Sequence, residues 1–287
     1  MAVLALMFNA LIWGLSWWPF RQFQAVGLHP LWTTVLLYVL SLLVISGAKR
    51  QAWREFLRTP ALWLVMAAAG LTNTAFNWGV ATGDVVRVVL LFYLMPLWAV
   101  LLARLVLGER LTRLAVLRMA LALGGAAVVL APAGGGLPWP ASLADWLGVI
   151  GGFTFALNNV MLRRQAGSSG EARALAMFGG GVGVAGVAAT LMAGGGLIAW
   201  PSLPSALWLL PLAGMALLFF LSNLSLQYGA SRLPANVTAI IMLTEVPVAA
   251  LSALWLGGGG LDLQTGLGGA CILAAALLAA LERQGAK

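Results

Sequence analysis

Long apolar runs alternate with short polar punctuation along the whole chain. A hydrocarbon core about 30 Å thick needs about 20 apolar residues per helix. That ruler marks ten runs: 3–24, 31–47, 60–80, 86–106, 114–131, 144–163, 173–193, 205–227, 234–256 and 263–281. The longest connections, 132–143 and 194–204, are rich in Gly, Pro and Trp, and no polar stretch is long enough for a soluble domain. The pattern predicts an all-α integral membrane protein with ten transmembrane helices. Two of the runs are interrupted. LLFYLMPLWAVLLARLVLGERLT (90–112) carries Pro96 near its middle, and AIIMLTEVPVAALSALWLGGGG (239–260) carries Pro247 beside Glu245. Proline inside a helix removes a hydrogen bond and clashes with the preceding turn, costing about 3 kcal/mol. Two prolines in matching places therefore need a reason.

The halves resemble each other. WWPFRQFQAVG (17–27) lines up with NVMLRRQAG (159–167), setting Arg21 against Arg163; NWGVA (77–81) lines up with QYGAS (227–231); Pro96 pairs with Pro247. Five helices per half is an odd number, so the second half enters the membrane the opposite way. The expectation is two inverted five-helix repeats around a central cavity: residues 1–131, a periplasmic linker 132–143, and residues 144–287. Such repeats place substrate near the midplane between the halves.

Composition agrees with the pattern. The 287 residues are 62% hydrophobic and 8% charged, against about 25% charged in soluble domains, and the mean hydropathy is +0.97. A net charge of +8 would suggest nucleic acid in a soluble chain; in a membrane chain it marks cytoplasmic loops, and no nucleic-acid partner is expected. With the N-terminus inside, fourteen Lys and Arg fall on the inner side (Lys49, Arg50, Arg54, Arg58, Arg104, Arg110, Arg113, Arg118, Arg163, Arg164, Arg173, Arg232, Arg283, Lys287). Only Arg21 and Arg87 fall outside. This bias predicts both termini in the cytoplasm, in a bacterial-type inner membrane. MAVLALMFNALIWG reads as a retained first helix rather than a cleaved signal. A single cysteine, Cys271, excludes an internal disulfide, and neither a metal nor a cofactor is expected. Most tryptophans lie near helix ends, as an interfacial belt requires, but Trp13, Trp17 and Trp98 lie well inside their runs.

Candidate chemistry gathers at the interruptions. Pro96 brings no N–H to the Phe92 carbonyl, nor Pro247 to that of Leu243, and an orphan carbonyl in lipid needs another donor or water. Two readings stand: carbonyls facing a cavity and a substrate ammonium, or prolines that only kink their helices. Glu245 is the one carboxylate near mid-span. It either binds an amino group or carries a proton, or it is protonated and bonded across helices. Its face reads Thr238, Met242, Glu245, Ala249, Ser252. A first-helix stripe reads Asn9, Trp13, Ser16, Trp17, Phe20; Asn73 and Asn77, Asn158 and Asn159, and Asn223 and Gln227 add amides. Amides also tie helices together in lipid. GVGVAG (181–186) matches a dinucleotide-binding spacing, but no strand precedes it, and close helix packing accounts for its glycines. His29 is the lone histidine, which excludes bis-His haem and a membrane Ser–His pair. The absence of buried paired Asp, of a buried Lys and of a nucleotide loop excludes the other enzyme readings. A channel would want rings of charge or carbonyls along a pore.

On the early Trp13–Gly14, the proline in YLMPLWAVLLARLVLGERLT, and LGER (Leu107 to Arg110), the chain resembles the drug/metabolite transporter superfamily, EamA type. The run GGGG (257–260) departs from the Gly-Glu pair often found in the second half of that family. The YLMPLW stretch and the mid-membrane tryptophans are similar to the aromatic amino acid exporters of the superfamily. The resemblance implies a secondary carrier that exports amino acids, aromatic ones included, by alternating access. The Phe92 and Leu243 carbonyls and Glu245 are expected on the ammonium, and amides such as Asn73, Asn77 and Asn158 on the carboxylate. Trp13, Trp17, Tyr93 and Trp98 are expected on the side chain, with Met95 and Met242 completing the wall. Pro96 and Pro247 are expected as gating hinges, and protons are a candidate coupling ion. The alternatives are export of other planar or cationic metabolites or drugs, and a non-transporting membrane assembly subunit.

Overall fold

The structure, a computed structural model, describes residues 1–48, 50–108, 112–132, 136–165, 167–201, 206–230, 232 and 241–282. The expectations that fall on Lys49, Glu109, Arg110, residue 205, residues 234–240 with Thr238, Arg283 and Lys287 lie outside the described residues.

The described residues form helices α1 (Ala2–Leu15), α2 (Trp17–Ala25), α3 (Pro30–Ala48), α4 (Arg50–Arg58), α5 (Pro60–Thr82), α6 (Val85–Phe92), α7 (Met95–Leu107), α8 (Arg113–Leu130), α9 (Leu143–Arg164), α10 (Gly170–Gly194), α11 (Ala206–Ala230), α12 (Glu245–Leu256) and α13 (Leu263–Glu282). Local chemistry sets many of the ends. Asp84, Thr112 and Ser169 cap α6, α8 and α10 by accepting the N–H of the residue three further on. Pro60 opens α5. Gly108 and Gly257 close α7 and α12 in the left-handed conformation, at φ 70° and 72°.

Among the described residues, five spans are long and apolar enough to cross a membrane: Ala2–Ala25, Val85–Val106, Arg113–Leu130, Gly170–Gly194 and Leu209–Leu226. The pair α3 and α4 would make a sixth only if counted as one broken span, and the two are bent 111° apart. Helices α5 and α9 are also long, at 23 and 22 residues, but more polar. Their position explains the polarity. They pack on each other, and α5 packs on α10 as well, so protein covers much of their surface, and Thr72 on α5 donates to the Ala68 carbonyl and lies 3.0 Å from Thr154 Oγ1 on α9. Glycines allow the close approaches. A Cβ on Gly70 would strike the Gly180 carbonyl oxygen, and one on Gly180 would strike that of Met66. A Cβ on Gly181 would meet the Tyr38 ring at 2.7 Å. Part of the GVGVAG run and its neighbour thus serve helix packing.

The interruptions differ from the expectation in where they fall. Each break lies ahead of its proline. The chain turns at Tyr93–Leu94 before α7, and at Leu243–Thr244 before α12. Pro96 and Pro247 then sit in the first turn of the following helix, where a missing N–H matters least. The Leu243 carbonyl is therefore not an orphan: it accepts the Val246 N–H at 3.2 Å. The Phe92 carbonyl faces α9, where a Cβ on Gly152 would strike its oxygen. A third break, which the sequence reading did not single out, splits the first span at Ser16, three residues before Pro19. Ser16 and Thr244 build their breaks alike. The hydroxyl of each donates to the carbonyl three residues back, Trp13 at 2.7 Å and Ile241 at 2.7 Å. The backbone N–H of each donates to the same oxygen, at 3.1 and 3.0 Å.

Candidate functional site

The breaks converge. A Cβ on Gly14 of α1 would lie 2.9 Å from the Glu245 carbonyl oxygen and 2.8 Å from Val248 Cγ1 on α12. Glu245 is the first residue of α12 and is 8% exposed. The Tyr93 hydroxyl lies 3.3 Å from Glu245 Oε2 and 3.3 Å from the Met242 carbonyl oxygen, so it donates to one of them at a time. A carboxylate has about four acceptor positions. Among the described residues Tyr93 is the one side chain that hydrogen-bonds Glu245, and no cation pairs with it. A buried carboxylate in that state calls for a proton or a cationic ligand.

Aromatic rings run away from this point across five helices. Phe219 lies tilted against Trp13 (4.9 Å between centroids), Trp13 meets Phe76 edge-on (6.1 Å), and Phe76 meets Phe92 edge-on (4.9 Å). Phe92 continues to Phe155 (5.4 Å) and to Tyr93 (6.2 Å). Trp13, Met95, Trp98 and Leu243 are half-buried and pack against the core cluster that contains Phe92 and Tyr93. Trp98 also meets Phe153 edge-on at 5.6 Å.

Other candidate residues are placed elsewhere. Trp17 is 2% exposed, donates its indole N–H to Ser252 Oγ at 3.0 Å, and lies where a Cβ on Gly258 would come within 2.6 Å of its ring. It fills the contact between α2 and α12. Asn73 accepts the Tyr38 hydroxyl at 2.7 Å and donates to the Ala69 carbonyl, and Asn77 donates to Thr34 Oγ1 at 3.2 Å. Their amides tie α5 to α3. Asn158 is buried on α9 with an Oδ1 that has no partner among the described residues. Asn9, from the first-helix stripe, is wholly buried and donates to the Ser222 carbonyl and hydroxyl at 2.8 and 2.7 Å. Sequence reasoning missed Phe76, Phe155 and Phe219, whose single signal was an aromatic in a polar or glycine-bearing run.

One end of the bundle is tied together by main-chain contacts beside a pocket of about 250 Å³ lined by Asp84, Arg87, Gly260, Asp262 and Thr265. Arg21 donates to the carbonyls of Gly83, Gly257 and Gly258, and its guanidinium lies 5.0 Å from the centre of the Trp17 ring. Val85 N–H donates to the Gly258 carbonyl at 3.1 Å, and Gly260 N–H to Asp84 at 2.9 Å. A Cβ on Gly259 would lie 2.5 Å from an Asp84 carboxylate oxygen. The run 257–260 is thus the surface on which Arg21, Trp17 and Asp84 close. Beside it Arg87 holds Asp145 through two hydrogen bonds of 2.7 and 3.1 Å and donates to the Val129 carbonyl. At the other end, which carries α4 and the exposed Arg164, a cleft of about 350 Å³ opens between α3, α10 and α11, lined by Ile45, Glu171, Phe178, Phe220 and Asn223.

Residues 1–131 match the EamA-like transporter family. A solved structure described only as the crystal structure of a protein is 18% identical, covers 99% of this chain and 98% of its own, and superposes with a TM-score of 0.57. That likeness speaks for the fold of the chain over its full length. No curated protein matches the chain.

Proposed function

We propose that this EamA-like transporter is a secondary carrier that exports amino acids, aromatic ones among them, by alternating access between two inverted five-helix repeats, 1–131 and 144–287, joined by 132–143. Three packings support the repeat. The contact of α5 with α9 has a counterpart in α11 with α1, that of α5 with α10 in α11 with α3, and that of α7 with α9 in α12 with α1. The observation that carries the substrate reading is Glu245, a buried carboxylate with one hydroxyl donor and no cation among the described residues, set at the head of a row of aromatic rings. An ammonium satisfies the carboxylate, and cation–π contact with Trp13, Phe92 and Tyr93 supports it. The substrate side chain lies on Trp13, Trp98, Met95 and Met242. The closure at Arg21 and the larger cleft at the other end support a carrier open toward the cytoplasm, with both termini on that side of the inner membrane. Bending at Ser16, Leu94 and Thr244, each two or three residues ahead of a proline, reverses the two. When no substrate is present, a proton on Glu245 neutralises the site, which makes protons the coupling ion.

A second reading has its own observation. One amide N–H each of Asn73 and Asn77 is already engaged, which leaves fewer donors for a substrate carboxylate and favours cationic metabolites that have none. Counterflow in proteoliposomes separates the two. Saturable exchange of labelled phenylalanine or tryptophan that Glu245→Gln abolishes supports the first. Exchange of phenethylamine without either amino acid supports the second. No saturable exchange of any of them sinks both.

A further inference from the structure

Helix α4, RQAWREFLR, is about 14 Å long, too short to cross a membrane. Its axis bends 111° away from that of α3, so it turns across the end of the span. One face is fixed to the bundle. Phe56 is 3% exposed, sits in a cluster with Leu62, Met161 and Leu175, and has its ring 4.8 Å from that of Trp63. Glu55 accepts the backbone N–H and the hydroxyl of Ser169 at 2.8 and 2.5 Å.

The other face is largely uncovered among the described residues, though the Trp53 ring meets that of Phe56 edge-on at 6.2 Å. Trp53 and Leu57 are four residues apart and form one row; Arg54 and Arg58 form the next. Leu57 is 59% and Trp53 36% exposed, and both arginines are exposed. Among the described residues no hydrogen bond or ion pair engages Arg54 or Arg58. An apolar row beside a guanidinium row, at the end of a membrane span, matches the boundary between acyl chains and phosphates. Two guanidinium forks present planar donors suited to phosphate oxygens.

We propose that this face of α4 docks the headgroups of anionic phospholipids in the adjacent leaflet. Trp53 and Leu57 enter the acyl boundary, and Arg54 and Arg58 hold the phosphate. The positive charge selects anionic over zwitterionic lipid. The docked lipid also steadies the transporter beyond α4. Glu55 holds Ser169, Ser169 caps α10 by accepting the Ala172 N–H at 3.2 Å, and Gly170, Glu171 and Ala174 of α10 line the cleft. The site depends on the chain spanning a bilayer and not on the identity of its substrate.

The test is the thermal stability of the full-length protein in detergent, titrated with phosphatidylglycerol or with phosphatidylcholine at low and high salt. The expected result is tighter apparent binding of phosphatidylglycerol, weakened by salt. The Arg54→Gln/Arg58→Gln double variant is expected to weaken phosphatidylglycerol binding about thirtyfold while leaving the phosphatidylcholine response unchanged. If that variant does not fold, salt dependence in the unsubstituted protein decides. Equal affinity for the two lipids, phosphatidylglycerol binding that salt leaves unchanged, or binding that the double variant retains overturns the proposal.

Discussion

Gly14 and Glu245 sit back to back: the Glu245 carbonyl oxygen lies 2.9 Å from the point a methyl group on Gly14 would occupy, and Val248 crowds the same space. Neither obstacle is the free end of a flexible chain. Gly14→Ala is therefore expected to push α1 off α12 and to destabilise the protein by about 1–3 kcal/mol. Gly183→Ala, on α10 with open space around it, serves as the control and is expected to leave the melting temperature unchanged or slightly raised. Equal melting temperatures for the two variants would contradict this contact.

Glu245→Gln keeps the shape of the side chain and removes its charge. Export of substrates bearing an ammonium is expected to fall at least about tenfold, since a charge-assisted hydrogen bond contributes about 1.5–3 kcal/mol. Exchange of a neutral analogue of the same shape is expected to survive. The proteoliposome assay with both substrates reads the difference, and a parallel loss of both would count against a role in charge recognition.

Trp17 points its indole N–H at Ser252 from a site that water does not reach. Ser252→Ala leaves that donor unsatisfied, at about 1–3 kcal/mol, whereas Ser252→Thr retains an acceptor. A melting temperature lowered in the alanine variant and largely recovered in the threonine variant is the expected outcome.

Arg21→Gln removes the guanidinium from three carbonyls across the closure. Because Arg21 is partly exposed, about 1–2 kcal/mol of local stability is at stake. The backbone amides of 83–85 and 257–260 are expected to exchange hydrogen about fivefold to thirtyfold faster, with little change in the buried middle of α5. Hydrogen-exchange mass spectrometry checks this peptide by peptide.

The Glu55 carboxylate lies below the ordinary carboxylate range because the Ser169 hydroxyl and then its N–H bond to it, against smaller opposing effects of burial and of Glu171. A lowered value in the folded protein means a contribution present at neutral pH and lost as pH falls through the acid range. Glu55→Gln is expected to lower the melting temperature at pH 7 and to converge on the parent only as pH falls below the ordinary carboxylate range.

Five of the ten predicted runs correspond to helices long and apolar enough to cross a membrane among the described residues; they were legible because lipid imposes one rule on every crossing helix, and runs such as 173–193 obey it wherever they sit in the bundle. Helix α4 escaped because nine residues fall far below that ruler and its arginines read only as a topology marker. The break at Ser16 escaped for a different reason: a hydroxyl bonded three residues back leaves no trace in hydropathy, and Pro19 lies near the end of its span. Trp17 shared a stripe with Asn9 and Ser16 and so resembled a ligand platform. Its polar partner, Ser252, belongs to a helix more than 200 residues away. The run 257–260 was the least readable, because what its glycines avoid is a ring from α2 and a carboxylate from the α5–α6 turn.

That run has one further implication. Arg21 grips bare main-chain oxygens there, so the latch is blind to which side chains surround it and responds to how many peptide units the loop contains. Lengthening or shortening the loop by one residue would carry the oxygens out of the guanidinium's reach, while most replacements outside 257–260 would go unnoticed. Among relatives that share this closure, loop length at this point should vary less than the amino acids that flank it.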